Sequence, residues 1–290
     1  MAYLYLVASV FCLSFSSTCA GFFNRKFTDG KNRTPLYNLI VCCTVVIGWG
    51  LIWAFRYSFD SAVLPYSLGF GVCYAVGTIM TPLCIRYGPV SLTSLVIQVS
   101  VACVTVWGFF FWADTRVTPF SIIGLLLVVT SLALCLSGKK GEQKKISIKW
   151  VVFATLLFFG NAGCSIFQKE EQIHFEGAHA PMMMFFATAF AMLAAIVIFL
   201  ISPKEQAKDT VKRAGYIPAI SAVLNLLLNL FIILLASSTI SPTVIYPVIS
   251  VGGLAVSMLL SVVCFRERLT PVQWVGIGLG AIAVTLLNLG

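Results

Sequence analysis

Apolar residues run through this chain in long unbroken stretches, and the charged positions mark where each stretch stops. Windows free of Asp, Glu, Lys and Arg cover 1–24, 34–55, 61–85, 87–113, 117–138, 150–168, 177–203, 214–265 and 269–290. A helix needs about 20 apolar residues to cross the hydrocarbon core of a bilayer. Eight windows therefore hold one span each. The ninth, 214–265, is interrupted by Ser237, Ser238, Thr239, Ile240, Ser241 and Pro242 and holds two. The pattern predicts ten helices, at 3–22, 36–55, 62–85, 89–111, 118–137, 149–168, 180–201, 214–236, 242–264 and 271–289. Strands of a membrane barrel are shorter and alternate strictly, which this pattern does not. The connections are too short to house a soluble domain.

Composition agrees. The 290 residues are 59% hydrophobic and 10% charged, with a mean hydropathy of +0.98. A soluble domain averages about 45–50% apolar and 25% charged residues. Too little polar surface remains to cover a water-soluble particle, so the expected class is an all-α integral membrane protein. Met1 to Phe23 has no basic leader and is as long as a span, so it reads as a first transmembrane helix rather than a cleaved signal.

The net charge of +9 changes the picture only through its placement. Lys and Arg sit in short connections between apolar runs, where they set topology rather than bind a polyanion, and no nucleic-acid partner is expected. Sixteen of them fall in the odd-numbered connections, whereas the even-numbered ones carry only Arg56, Arg116 and Lys169. Loop charge alone puts the odd connections in the cytoplasm and both termini outside. The ten cysteines lie in or beside apolar runs without ligand spacing, and read as small packing residues.

The chain also repeats itself. Arg116-Val117-Thr118-Pro119 with Gly124 aligns on Arg268-Leu269-Thr270-Pro271 with Gly276, at an offset of 152. Phe15, Phe23, Asn24 and Arg25 align on Phe159, Phe167, Gln168 and Lys169 at an offset of 144. Residues 1–138 and 149–290 thus read as two copies of five spans, joined by a basic linker at 139–148. An odd number of spans sends the second copy through the membrane in the opposite sense. Inverted repeats of this kind build many secondary transporters, with the substrate site near the midplane.

The run Phe265-Arg266-Glu267-Arg268-Leu269-Thr270-Pro271, followed by Gln273, Gly276, Gly278 and Gly280, resembles the end of an EamA-type domain of the drug/metabolite transporter superfamily. Two five-helix copies are that family's plan, so the resemblance covers essentially the whole chain. It implies a ten-helix secondary transporter working by alternating access, in the plasma (bacterial inner) membrane. Thr115 stands in the first copy where the second has Glu267. Ten-helix relatives are drawn with cytoplasmic termini, opposite to what the loop charges give.

With no charged residue in the centre of any predicted span, the candidate substrate ligands are uncharged. Ser91, Ser94, Gln98 and Thr105 share one helical face, and Thr243, Tyr246, Ser250 and Ser257 repeat it at an offset of 152. Tyr74 and Thr78 correspond to Asn225 and Asn229, and Ser17 to Asn161. Polar groups in hydrocarbon either bond to a neighbouring helix or line a wet cavity. The substrate-binding set is therefore Ser17, Tyr74, Thr78, Ser94, Gln98, Asn161, Asn225, Asn229, Tyr246 and Ser250. Pro82, Pro242 and Pro247, with Gly252 and Gly253, mark either broken helices or tolerated kinks.

Lys169 to His179, with Glu170, Glu171, His174 and Glu176, reads as a solvated charged connection, since no His-Glu-x-x-His pattern supports a metal. No ATP-binding loop occurs. The expected function is secondary transport of a small neutral or zwitterionic organic solute, without a cofactor and without enzymatic chemistry. A lipid-headgroup flippase is the alternative, ahead of a membrane enzyme or a channel. The expected partners are the small-molecule substrate and membrane lipid, and a homodimer is left open.

Overall fold

A computed structural model of the chain describes residues 2–26, 34–87, 90–112, 117–137, 148–202, 207–265 and 270–289. Every regular element among them is helical: α1 (Ala2–Lys26), α2 (Thr34–Phe55), α3 (Leu64–Tyr87), α4 (Val90–Phe111), α5 (Pro119–Ser137), α6 (Ile148–Phe175), α7 (Ala180–Ile201), α8 (Ala207–Ala214), α9 (Tyr216–Ala236), α10 (Pro242–Phe265) and α11 (Pro271–Leu289), with a short 3-10 turn at Ser61–Val63. Each charge-free stretch has become a helix. Six of them, α1, α2, α3, α6, α7 and α9, contain apolar segments long enough to cross a membrane, and α5, α10 and α11 contain shorter ones. Large apolar side chains such as Phe55, Phe110, Leu126, Val197 and Ile282 point outward. A surface of that kind needs lipid around it, and the chain fits the class of multi-pass helical membrane proteins.

One expectation about local structure is corrected, and one open alternative is decided. Residues 169–175 are not a loop: α6 runs two turns past its apolar end, to Phe175. The segment Gln-Lys-Glu-Glu-Gln consists of strong helix formers, and its helix stops only where Glu176 and Gly177 take left-handed backbone conformations, with φ of 53° and 73°. Glycine adopts that region without steric cost, so the chain reverses within four residues and α7 begins at Ala180. Of the two readings of the prolines, a broken helix or a tolerated position inside one, the second holds. Both α3 and α10 are continuous, with Pro247 inside α10. A proline removes one helical hydrogen bond, and packed neighbours hold the rest of the helix in place. The short helix α8 occupies part of the connection that follows α7.

The repeated Thr-Pro motif has a local cause. Thr118 Oγ1 accepts the backbone N–H of Ser121 at 3.1 Å, and the Gln273 side chain accepts the N–H of Thr270 at 2.9 Å. Threonine before the helix, proline at its first position and a polar residue at its third form a start signal. The motif therefore launches α5 and α11, and those two helices pack closely together.

Packing elsewhere pairs α3 with α6, α1 with α9, α2 with α7, α3 with α7, α2 with α9, α4 with α6, α1 with α10 and α4 with α10. The largest buried cluster lies among α2, α3, α7 and α9, around Trp49, Phe70, Met183, Met184, Ala187 and Ala222. Close approach is made possible by small residues. A methyl group at Gly160 of α6 would lie 3.0 Å from the Cys73 carbonyl of α3.

Candidate functional site

One face of α6 carries a run of polar contacts to its neighbouring helices. Asn161 Oδ1 rests against Gly77 of α3. One turn on, the carbonyl of Ser165 accepts the Tyr246 hydroxyl of α10 at 3.4 Å. Gln168 follows, only 3% exposed, and its Nε2 donates to Asn229 Oδ1 of α9 at 2.8 Å while lying 3.8 Å from Met184 Sδ of α7. Asn229 in turn donates to Asn225, at 2.8 Å to its carbonyl and 3.1 Å to its side-chain oxygen. The result is a chain of three amides, Gln168–Asn229–Asn225, across two helices.

The last two turns of α6 add charge. Lys169 is 5% exposed and its Nζ donates to the carbonyl of Ala236, at the end of α9, at 3.2 Å. Glu170 accepts the Trp112 indole N–H at 2.9 Å. Glu171, 1% exposed, accepts the backbone N–H of His179 at 3.2 Å. A carboxylate beside the N-terminus of α7 is favoured by the helix dipole. His179 places its Nδ1 3.1 Å from Ser58 Oγ, and His174 places its own 3.0 Å from the Glu170 carbonyl. The solvated connection expected for 169–179 is thus replaced, over Lys169 and Glu171, by buried charges with protein partners. Both lie in the last two turns of α6 and not at its centre; hydropathy alone missed them because it ends a helix at its first cluster of ions.

The other expected ligands are scattered. Tyr74 stacks on Phe70, with ring centroids 6.0 Å apart, beside the large core cluster. Thr78 bonds back to the Ala75 carbonyl at 2.9 Å, while its own carbonyl accepts from Asn38 of α2 at 3.2 Å. Ser17 lies 3.2 Å from Ser257, and Ser14 donates to the Gly253 carbonyl at 3.0 Å, so both stitch α1 to α10. Ser250 is fully buried, and Tyr246 packs with Trp112 in a small cluster that includes Val104 and Ala162. The side chains of Ser91, Ser94, Gln98 and Thr243 lie outside the described residues, as do Thr115 and Glu267, nearly all of the 139–148 linker and the side chains of Pro82 and Pro242. Of the four described residues in the two matching stripes, Thr105 is fully buried and its hydroxyl has no partner.

Sequence reasoning missed Gln168, Lys169, Glu170, Glu171 and Trp112. It also missed a triad in which Tyr37 donates to Ser221 Oγ at 2.6 Å and Ser16 lies 2.9 Å from the same oxygen, joining α2, α9 and α1. A signal for α6 existed. Asn161, Ser165 and Gln168 fall at i, i+4 and i+7, which continues one helical face into the charged segment.

No family model matches the chain, and no curated protein does. A solved structure described only as "Crystal structure of protein" aligns over 99% of this chain and 96% of its own, with a TM-score of 0.72 and 14% identity. That likeness is one of fold.

Proposed function

We propose that the protein is a secondary transporter of the EamA type, with ten spans in two inverted five-helix halves, carrying a small neutral or zwitterionic organic solute by alternating access. The observation that supports it is how the helices pair. Let α1–α5 exchange with α6, α7, α9, α10 and α11. The α3–α6 pair then becomes α9–α1, α4–α6 becomes α10–α1, and α3–α7 becomes α9–α2; α2–α7, α4–α10 and α5–α11 map onto themselves. All of these contacts occur. Two such halves meeting around polar helices suit a fold in which one rocks against the other about a central site.

The chemistry of α6 favours the substrate class. Gln168 of α6 and Asn225 and Asn229 of α9 supply uncharged hydrogen-bonding amides, while Lys169 and Glu171, two residues apart and so on opposite sides of α6, are each bonded elsewhere, to the Ala236 carbonyl and the His179 N–H. Burying one net ion is costly, whereas amides can serve a neutral or zwitterionic solute. Residues 1–138 and 149–290 are the two halves in this reading, and the plasma membrane is the proposed location. No nucleotide chemistry drives it; a solute or ion gradient does.

The test is uptake into proteoliposomes of the full chain, with a panel of neutral, zwitterionic, cationic and anionic solutes under imposed solute and pH gradients. Saturable flux of a neutral or zwitterionic solute, reduced at least several-fold by Gln168→Ala at equal amounts of folded protein, supports transport. Headgroup scrambling without solute flux would replace this reading with a flippase. Absence of both would end it.

A further inference from the structure

Among the described residues Trp49 is the largest side chain that the bundle encloses completely, at 0% exposure, and its indole N–H has no hydrogen-bond partner among them. A buried donor without an acceptor is costly, and more so where no water reaches it. Proteins therefore keep few of them, and each calls for an explanation. The position of this one is informative. Trp49 lies on α2, which packs on α7 and α9 across the two proposed halves. It belongs to the cluster that includes Phe70, Met183 and Met184, and Met184 is the residue on which the Gln168 amide rests. Glycines bracket it: a methyl group at Gly48 would collide with Leu226 of α9, and one at Gly50 would press on Phe185 of α7 at 3.1 Å. Leu226 of α9 and Phe185 of α7 thus sit in notches on either side of the indole, and one turn on Trp53 stacks on Phe185, so the indole lies at the close contact of α2 with α7 and α9.

Resting on the transporter reading, we propose that the Trp49 indole N–H is a ligand donor, engaged when α2 and α7 part, and that the solute carries a carbonyl or carboxylate oxygen on an apolar body. With α2 and α7 packed together the donor is unpaired, which disfavours that packing. A solute entering between the helices supplies the missing acceptor from its polar end. Its apolar end meets Phe70, Met183 and Met184, which are shaped for hydrocarbon rather than charge. An amine lacking any acceptor gains nothing from the indole.

The experiment uses full-length protein with 15N-indole tryptophan in detergent micelles, the Trp49 resonance being assigned with Trp49→Phe. Three probes share one branched tail: L-leucine, isovaleramide and isopentylamine. The two acceptor-bearing probes are expected to shift the Trp49 resonance to the position of a bonded indole, and isopentylamine to leave it in place. A second variant carries benzothienylalanine at position 49, which keeps the ring shape and removes the N–H. It is expected to bind the acceptor probes about tenfold more weakly, the value of one net hydrogen bond, and without ligand to melt at a higher temperature than the unaltered protein. A resonance unmoved by all three probes, an equal shift with isopentylamine, or unchanged affinity in the benzothienyl protein would each overturn the assignment. Solute flux with an unmoved resonance would leave transport standing and remove Trp49 from it. A shifted resonance without any flux would do the reverse.

Discussion

The Gln168–Asn229 hydrogen bond gives the sharpest handle on the centre of the bundle. Gln168 is 3% exposed and its bond to the half-buried Asn229 is 2.8 Å long, so the Gln168 end cannot turn to solvent when its partner is removed. Replacing Gln168 with Met keeps the volume nearly constant, and packing changes of that kind cost under about 1.5 kcal/mol. The larger effect is on Asn229, whose side-chain oxygen is left without its donor. Interhelical hydrogen bonds within membranes average about 0.6 kcal/mol and reach about 1.7, while an abandoned buried polar group costs about 1–3 kcal/mol. Gln168→Met is therefore expected to destabilise the protein by about 1–2 kcal/mol. Asn229→Leu should cost at least as much, since it also removes the bonds to Asn225. The two together should cost less than their sum by about 1 kcal/mol, because neither Gln168 nor Asn229 is then left facing an absent partner, while the loss at Asn225 is common to the Asn229 single and the double variant. Unfolding by titrated denaturing detergent in mixed micelles measures all four corners of the cycle. Uptake measured on the same samples separates packing from binding: the double variant should be folded yet fail to transport. Strict additivity would refute the link between these two amides. Normal uptake by the double variant would show that the amide chain only packs.

Other consequences follow from neighbouring contacts. Glu171→Leu removes the acceptor for the His179 N–H and should lower stability by about 1 kcal/mol, whereas Glu171→Gln keeps an acceptor and should retain most of it; thermal melts of the two compare directly. Thr118→Val removes the cap of α5 and should cost about 1 kcal/mol, read as a lower melting temperature with uptake per folded molecule unchanged. Gly71→Ala would put a methyl group 2.8 Å from the Ala187 carbonyl of α7, a backbone atom that cannot swing aside. Overpacking of that kind costs about 1–3 kcal/mol, so yield and melting temperature should both drop, and an unchanged melt would contradict the close α3–α7 contact.

The long helices among the described residues were legible because every apolar run is long enough to be a span and is bounded by charge, and each run has become a helix within a few residues of its expected ends, except α6, which runs seven residues past its expected end at 168. The repeated Thr-Pro signal was legible too, although as an alignment marker rather than as the helix start that the Thr118 and Gln273 bonds reveal. The paired asparagines at 225 and 229 were rightly seen as needing partners, but the partner itself, Gln168, was out of reach. Which side chains meet depends on how α6 and α9 cross, and no local pattern encodes that.

Sequence by itself determined what the chain must do with its apolar surface. Stretches of about 20 apolar residues satisfy their backbone groups only as helices when they leave water, and their boundaries follow from where ions appear. Tertiary structure alone decided what becomes of the ions and amides. Lys169 and Glu171 look solvated in a one-dimensional reading because hydropathy counts a charge as exposed. They are buried because α6 continues past them and finds the Ala236 carbonyl and the His179 N–H waiting on other helices. The orphaned indole of Trp49 is likewise invisible in the sequence, since an absent partner is a property of three-dimensional neighbours.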